Sequence, residues 1–163
     1  MDTLAIFGTQ FVLSLVVFSL VARWYVAPWL AGMAADRALA LLLLPHTLRH
    51  VGLTFLVPVV AGPGMPAGFA AGAGYGDLAS GLLALVALIA LHGRWRAAVP
   101  LVWLFNVVGT ADLMTALPQA AAVPHFAATW FIPTFVVPLL LMSHAMIFAR
   151  LLRLRRDRRQ AAH

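Results

Sequence analysis

Five stretches of the chain are apolar enough, and all but the third long enough, to cross a bilayer core, which takes about twenty residues at roughly 1.5 Å of rise each. They are residues 4–22, 39–60, 77–92, 97–117 and 129–149. The pattern predicts an all-α integral membrane protein, a bundle of five transmembrane helices forming one domain over residues 1–154, followed by a basic tail at 155–163. Pro45, Pro133 and Pro138 fall inside the second and fifth stretches. Each removes a backbone hydrogen bond and favours a kink there. The third stretch is short unless it begins upstream, where Gly64, Gly68, Gly72 and Gly76 recur every fourth residue. Residues 62–76 read either as a flexible loop or as a short re-entrant helix starting at Pro66, with the glycines forming one smooth face.

Composition makes lipid the solvent. Hydrophobic residues are 63% of the 163 and charged residues only 10%, against about a quarter charged in a soluble domain. The chain has no Cys, no Lys and no Glu. That excludes thiolate metal sites, disulfides and Schiff-base chemistry. A chain whose positive charge is all arginine and which is rich in alanine points to a GC-rich bacterial genome, hence to a multi-pass protein of the bacterial inner membrane.

The arginines also set a direction. Arg23 and Arg37 lie between the first two stretches, Arg94 and Arg96 between the third and fourth, and six more follow the fifth, whereas residues 61–76 and 118–128 carry none. The positive-inside rule then predicts an external N-terminus and a cytoplasmic C-terminus. The basic tail reads as an anchor beside anionic lipid headgroups, not as a nucleic-acid surface.

The chemistry lies in the ionisable residues within the stretches, which are costly in lipid and therefore functional candidates. The second stretch carries His46, Arg49 and His50, the fifth His144, and the fourth Asn106. Four-residue spacing on an α-helix places His46 and His50 on one face with Arg49 to the side. His46 and His144 fall at a similar depth, roughly 8–10 Å from the cytoplasmic ends. A cluster of His46, His50, His144 and Arg49 fits an internal cofactor or amphipathic ligand. Haem b, with His46 and His144 on the iron and Arg49 at a propionate, or a quinone is the concrete expectation. A transporter or channel for a small solute, proton-coupled or facilitated, uses the same residues differently, with Asp112 as a further polar site. A non-catalytic subunit of a larger membrane complex, or a homo-oligomer, is the third reading. The purely structural alternative pairs Arg49 with Asp112 or with a carbonyl freed by a proline.

A second constellation lies toward the outer side. Gly74-Tyr75-Gly76-Asp77 resembles the Gly-x-Gly-Asp motif of intramembrane aspartyl proteases, and Asp112 on the next stretch would supply the second carboxylate of a dyad. The resemblance covers four residues, the order of the two aspartates is reversed and the helix count is lower, so this is the weakest of the readings. Asp77 alternatively caps the third helix. A serine hydrolase is excluded by depth, because Ser80 lies near the outer surface and His144 near the inner one. Enzymatic activity is left open, with hydrolysis disfavoured.

Overall fold

The computed structural model describes residues 2–161, so the last two residues of the basic tail lie outside the described residues. Five helices are long and apolar enough to span a membrane: α1 (Thr3–Ala31), α2 (Ala35–Leu56), α3 (Ala67–His92), α4 (Ala98–Ala116) and α5 (Ala127–Asp157, continuing to Gln160). No strand occurs among the described residues. Because consecutive helices alternate in direction, the arginine-bearing ends of all five fall on one side of the bundle; it is called the arginine end below.

The helices depart from regular α geometry where prolines require it. In α1 and α5 a single wide π turn, Ala22–Val26 and Ile132–Val136, precedes Pro28 and Pro138 by two residues. Proline has no N–H to give to the carbonyl four residues back, and a π turn absorbs that missing bond without ending the helix. Thus α1 continues nine residues past the predicted end at Ala22. In α2 the α-helix runs to Thr47 and then tightens to a 3₁₀ segment, Arg49–Leu56, with Leu48 N–H bonded to Pro45 O at 3.3 Å. Pro58 and Gly62, at φ +79°, then turn the chain.

The glycine-rich stretch is non-helical only over 62–66. From Ala67, directly after Pro66, it forms the first turns of α3 itself. Asp77 consequently lies in the third turn of α3 and caps nothing. The four glycines also part company: Gly64 precedes the helix, Gly68 and Gly72 face open space, and Gly76 abuts α4 through Asp112.

Two hydrophobic cores sit one above the other. The first, toward the arginine end, packs Leu39 and Leu43 of α2, Ala84 and Ala87 of α3, Val102 and Phe105 of α4, and Ile147 and Leu151 of α5. Fully buried alanines on α3 bring its neighbours close, as small residues do in membrane bundles. The second core is aromatic, with Phe55, Phe69 and Phe126 at its centre. Helix α1 is peripheral and has no buried residue in its apolar window. It is held to α5 by a bond from Trp130 Nε1 to Gln10 Oε1 at 2.6 Å and by Arg150, which donates to the Leu30 carbonyl. Between the two cores lies a layer of buried polar side chains.

Candidate functional site

Arg49 is the hub of that layer. It is 4% exposed, and its guanidinium is spent on two other helices at once. Nε donates to Asp77 Oδ1 on α3 at 2.7 Å, Nη1 to the Gly109 carbonyl on α4 at 3.1 Å, and Nη2 to Asp112 Oδ2 on α4. Charge-assisted bonds of this kind are roughly twice as strong as neutral ones. The triad nevertheless contains two carboxylates and one cation. In a low-dielectric interior that excess negative charge is costly, and the site has room for one more positive charge.

Three glycines make the triad possible. A Cβ at Gly52 would collide with the Asp77 carboxylate, and one at Gly76 with the Asp112 carboxylate. A Cβ at Gly109 would lie 2.8 Å from His144 Cε1 and 3.0 Å from Arg49 Nη1. Gly109 is therefore where the triad meets the histidines. The glycines serve as clearance for side chains arriving from another helix, a use that sequence spacing does not reveal.

His46 and His144 are in contact, with ring centroids 4.2 Å apart and planes tilted by 51°, and Phe105 packs against both. Asn106 holds His144 by both its backbone and its ring. Its Nδ2 donates to the His144 carbonyl at 3.2 Å, so its Oδ1 is the atom that lies 2.7 Å from His144 Nδ1. An amide oxygen only accepts, so Nδ1 carries the proton and neutral His144 presents Nε2 as a bare lone pair. That Nε2, both ring nitrogens of His46 and the Ser80 hydroxyl are buried without a hydrogen-bond partner among the described residues.

His50 does not join this cluster. It is exposed, and its Nδ1 lies 3.3 Å from the Thr47 carbonyl. The expectation that His46 and His50 share a face assumed an α-helix throughout. Once the chain tightens after Thr47, residues three apart nearly eclipse. His46 and Arg49 then point inward together, and His50 turns away. The contact of the His46 and His144 rings also bears on haem: axial ligands on opposite sides of an iron need a porphyrin plane between them, and rings in contact leave no such gap. Among the described residues no group of three or more potential metal ligands converges.

Asp77 and Asp112 do approach one another, as the antiparallel run of α3 and α4 suggested, but Arg49 lies between them. A guanidinium bonded to both carboxylates occupies the place where an aspartyl dyad holds its water. What sequence reasoning missed is Asp77 as a partner of Arg49, together with the cavities around the pair. On the side away from the arginine end, a cavity of about 50 Å³ is bordered by Asp77 and Asp112 and walled by Phe7, Phe55, Phe69 and Phe126. Between α2 and α5 a groove of about 270 Å³, lined by apolar residues, reaches Arg49, Gly52 and Asp77.

A family model described as Domain of unknown function (DUF8737) matches residues 6–152, and the chain belongs to that family. The matched stretch contains every residue of the polar layer. No curated protein and no solved structure matches the chain.

Proposed function

We propose that this protein is a small carrier of the bacterial inner membrane, with its arginine end in the cytoplasm, in which a proton and a solute alternate at the Asp77–Arg49–Asp112 triad. The observation that carries the reading is the charge count. Two carboxylates share one guanidinium, and both border a cavity walled mainly by apolar and aromatic side chains. Ionisable groups at such depth are expensive and mark ion or substrate paths. A pocket that is mostly apolar with a few convergent polar groups is the usual form of a small-ligand site. The uncompensated charge calls for a single positive partner, and a site that takes either a proton or a solute in that role couples the two. Anionic lipid around the basic end of α5 would hold that end at the membrane surface.

The experiment is solute-driven proton movement in liposomes loaded with a pH-sensitive dye. Reconstituted protein is expected to change the internal pH when a transported solute is added outside. Asp77→Asn and Asp112→Asn, each checked for a monodisperse fold, are expected to abolish the signal. A signal that survives both substitutions removes the triad from the mechanism.

The groove between α2 and α5 favours a second reading, an amphipathic ligand such as a quinone. Its head would hydrogen-bond to Arg49 and Asp77, and its tail would lie along the apolar wall. Organic extraction of the purified protein separates the two. A stoichiometric quinone in the extract, lost in Gly52→Val, supports the ligand reading. The contact of the two imidazoles argues against haem between them.

A further inference from the structure

The geometry points to a small alkylammonium ion as the solute, held in the cavity between the rings of Phe7, Phe55, Phe69 and Phe126 and the carboxylates of Asp77 and Asp112. This deepens the carrier reading and rests on it for the coupling to protons, though not for the binding itself.

The walls come first. Phe55 and Phe69 meet edge-on with centroids 5.3 Å apart, Phe126 lies 5.5 Å from Phe69 and 6.0 Å from Phe55, and Phe7 closes the group at 5.8 Å from Phe126. Aromatic faces attract cations, quaternary and alkylated ammonium above all, because those ions shed little hydration on entering. A metal cation is poorly served by the same walls, since sodium-like or calcium-like ions ask for a shell of oxygen ligands.

Charge then decides between a cation and a neutral guest of the same shape. Asp77 is buried and spends only Oδ1 on Arg49. Its Oδ2 lies against Gly52 and Oδ1 of Asp112 against Gly76, and neither accepts a hydrogen bond from the described residues. An ammonium N–H would satisfy one of these oxygens and cancel the excess charge at once. Gln119, whose Nε2 donates to the Thr115 carbonyl at 3.1 Å, also lines the cavity and leaves its amide oxygen as a further acceptor.

Size favours a compact guest. The cavity measures about 50 Å³, which suits an ion of a few heavy atoms such as methylammonium or trimethylammonium.

The test is isothermal titration calorimetry of the full-length protein in lipid nanodiscs with methylammonium, trimethylammonium and the neutral comparator tert-butanol. Repeating each titration in two buffers of different ionisation enthalpy counts the protons released. Saturable binding of both cations is expected, with no binding of tert-butanol and close to one proton released per cation. Phe7→Leu should weaken trimethylammonium by about 2- to 30-fold. It is the safer variant because α1 is peripheral and contributes no buried residue from its apolar window. Asp112→Asn should weaken it by more than tenfold.

Equal binding of tert-butanol, no cation binding by folded protein, or affinities untouched by Phe7→Leu would overturn the assignment. Cation binding without proton release keeps the ammonium site and sinks the alternation with protons. Proton movement driven by some other solute, with no ammonium binding, does the reverse.

Discussion

Placing alanine at Gly76 inserts one methyl group where the structure has none to spare. The new Cβ collides with the Asp112 carboxylate, a charged group held by Arg49 from another helix. Either the carboxylate leaves the guanidinium or α3 and α4 separate. Forcing a methyl into a packed interior costs about 1–3 kcal/mol, and losing one arm of a buried ion pair approaches about 3–5 kcal/mol when relaxation is incomplete. Against this, Gly→Ala inside a helix gains about 1 kcal/mol. The net expectation for Gly76→Ala is a destabilisation of about 0–4 kcal/mol, at the upper end if the ion-pair arm is lost.

Gly72→Ala is the internal control, one turn earlier on the same helix with no atom near its would-be Cβ. It should be neutral or stabilising by up to about 1 kcal/mol. Titration of each variant with sodium dodecyl sulfate in mixed micelles, followed by far-UV circular dichroism, gives the two values side by side. Equal effects at both positions, or a Gly76→Ala variant more stable than the wild type, would refute the claim that this glycine clears space for the triad.

Arg49→Met should cost about 3–5 kcal/mol by leaving two buried carboxylates unpaired, while the triple change Arg49→Met/Asp77→Asn/Asp112→Asn should recover most of that stability in the same titration. Asn106→Leu should cost about 1–3 kcal/mol by stranding His144 Nδ1 and its carbonyl, whereas exposed His50→Ala should stay within about 0.5 kcal/mol. The chain lacks cysteine, so single cysteines report topology cleanly. A cysteine at Ala120 should react with an impermeant maleimide in intact cells, and one at Arg94 only after permeabilisation.

The helices were legible in the sequence because each is long and apolar enough to span a membrane, and such runs stand out in a single sequence. The third was misplaced at its start. Glycines at 64, 68, 72 and 76 weaken a helix in water, whereas burial of Phe69, Ala70 and Ala73 between them carries α3 through this stretch. The polar layer was legible residue by residue, since His46, Arg49, Asn106, Asp112 and His144 stand out in apolar surroundings. Their arrangement was not. It depends on the switch from α to 3₁₀ geometry after Thr47, a change of about 20° per residue, which swaps His50 for Arg49 on the inner face. The aromatic chamber was invisible for a different reason. Phe7, Phe55, Phe69 and Phe126 come from α1, α2, α3 and the turn before α5, and phenylalanine in a membrane helix gives no local sign of facing inward.

The charge count at the triad is tested most directly by infrared spectroscopy of the protonated-carboxyl C=O stretch. The spectrum is uncluttered, because the chain has only five acidic residues, all aspartate. At neutral pH and without solute, the wild type should show a band equivalent to one protonated carboxyl per chain. Asp77→Asn and Asp112→Asn should each abolish it, because the single carboxylate that remains is neutralised by Arg49. A wild type with no such band, or a band that survives in both variants, would contradict the account.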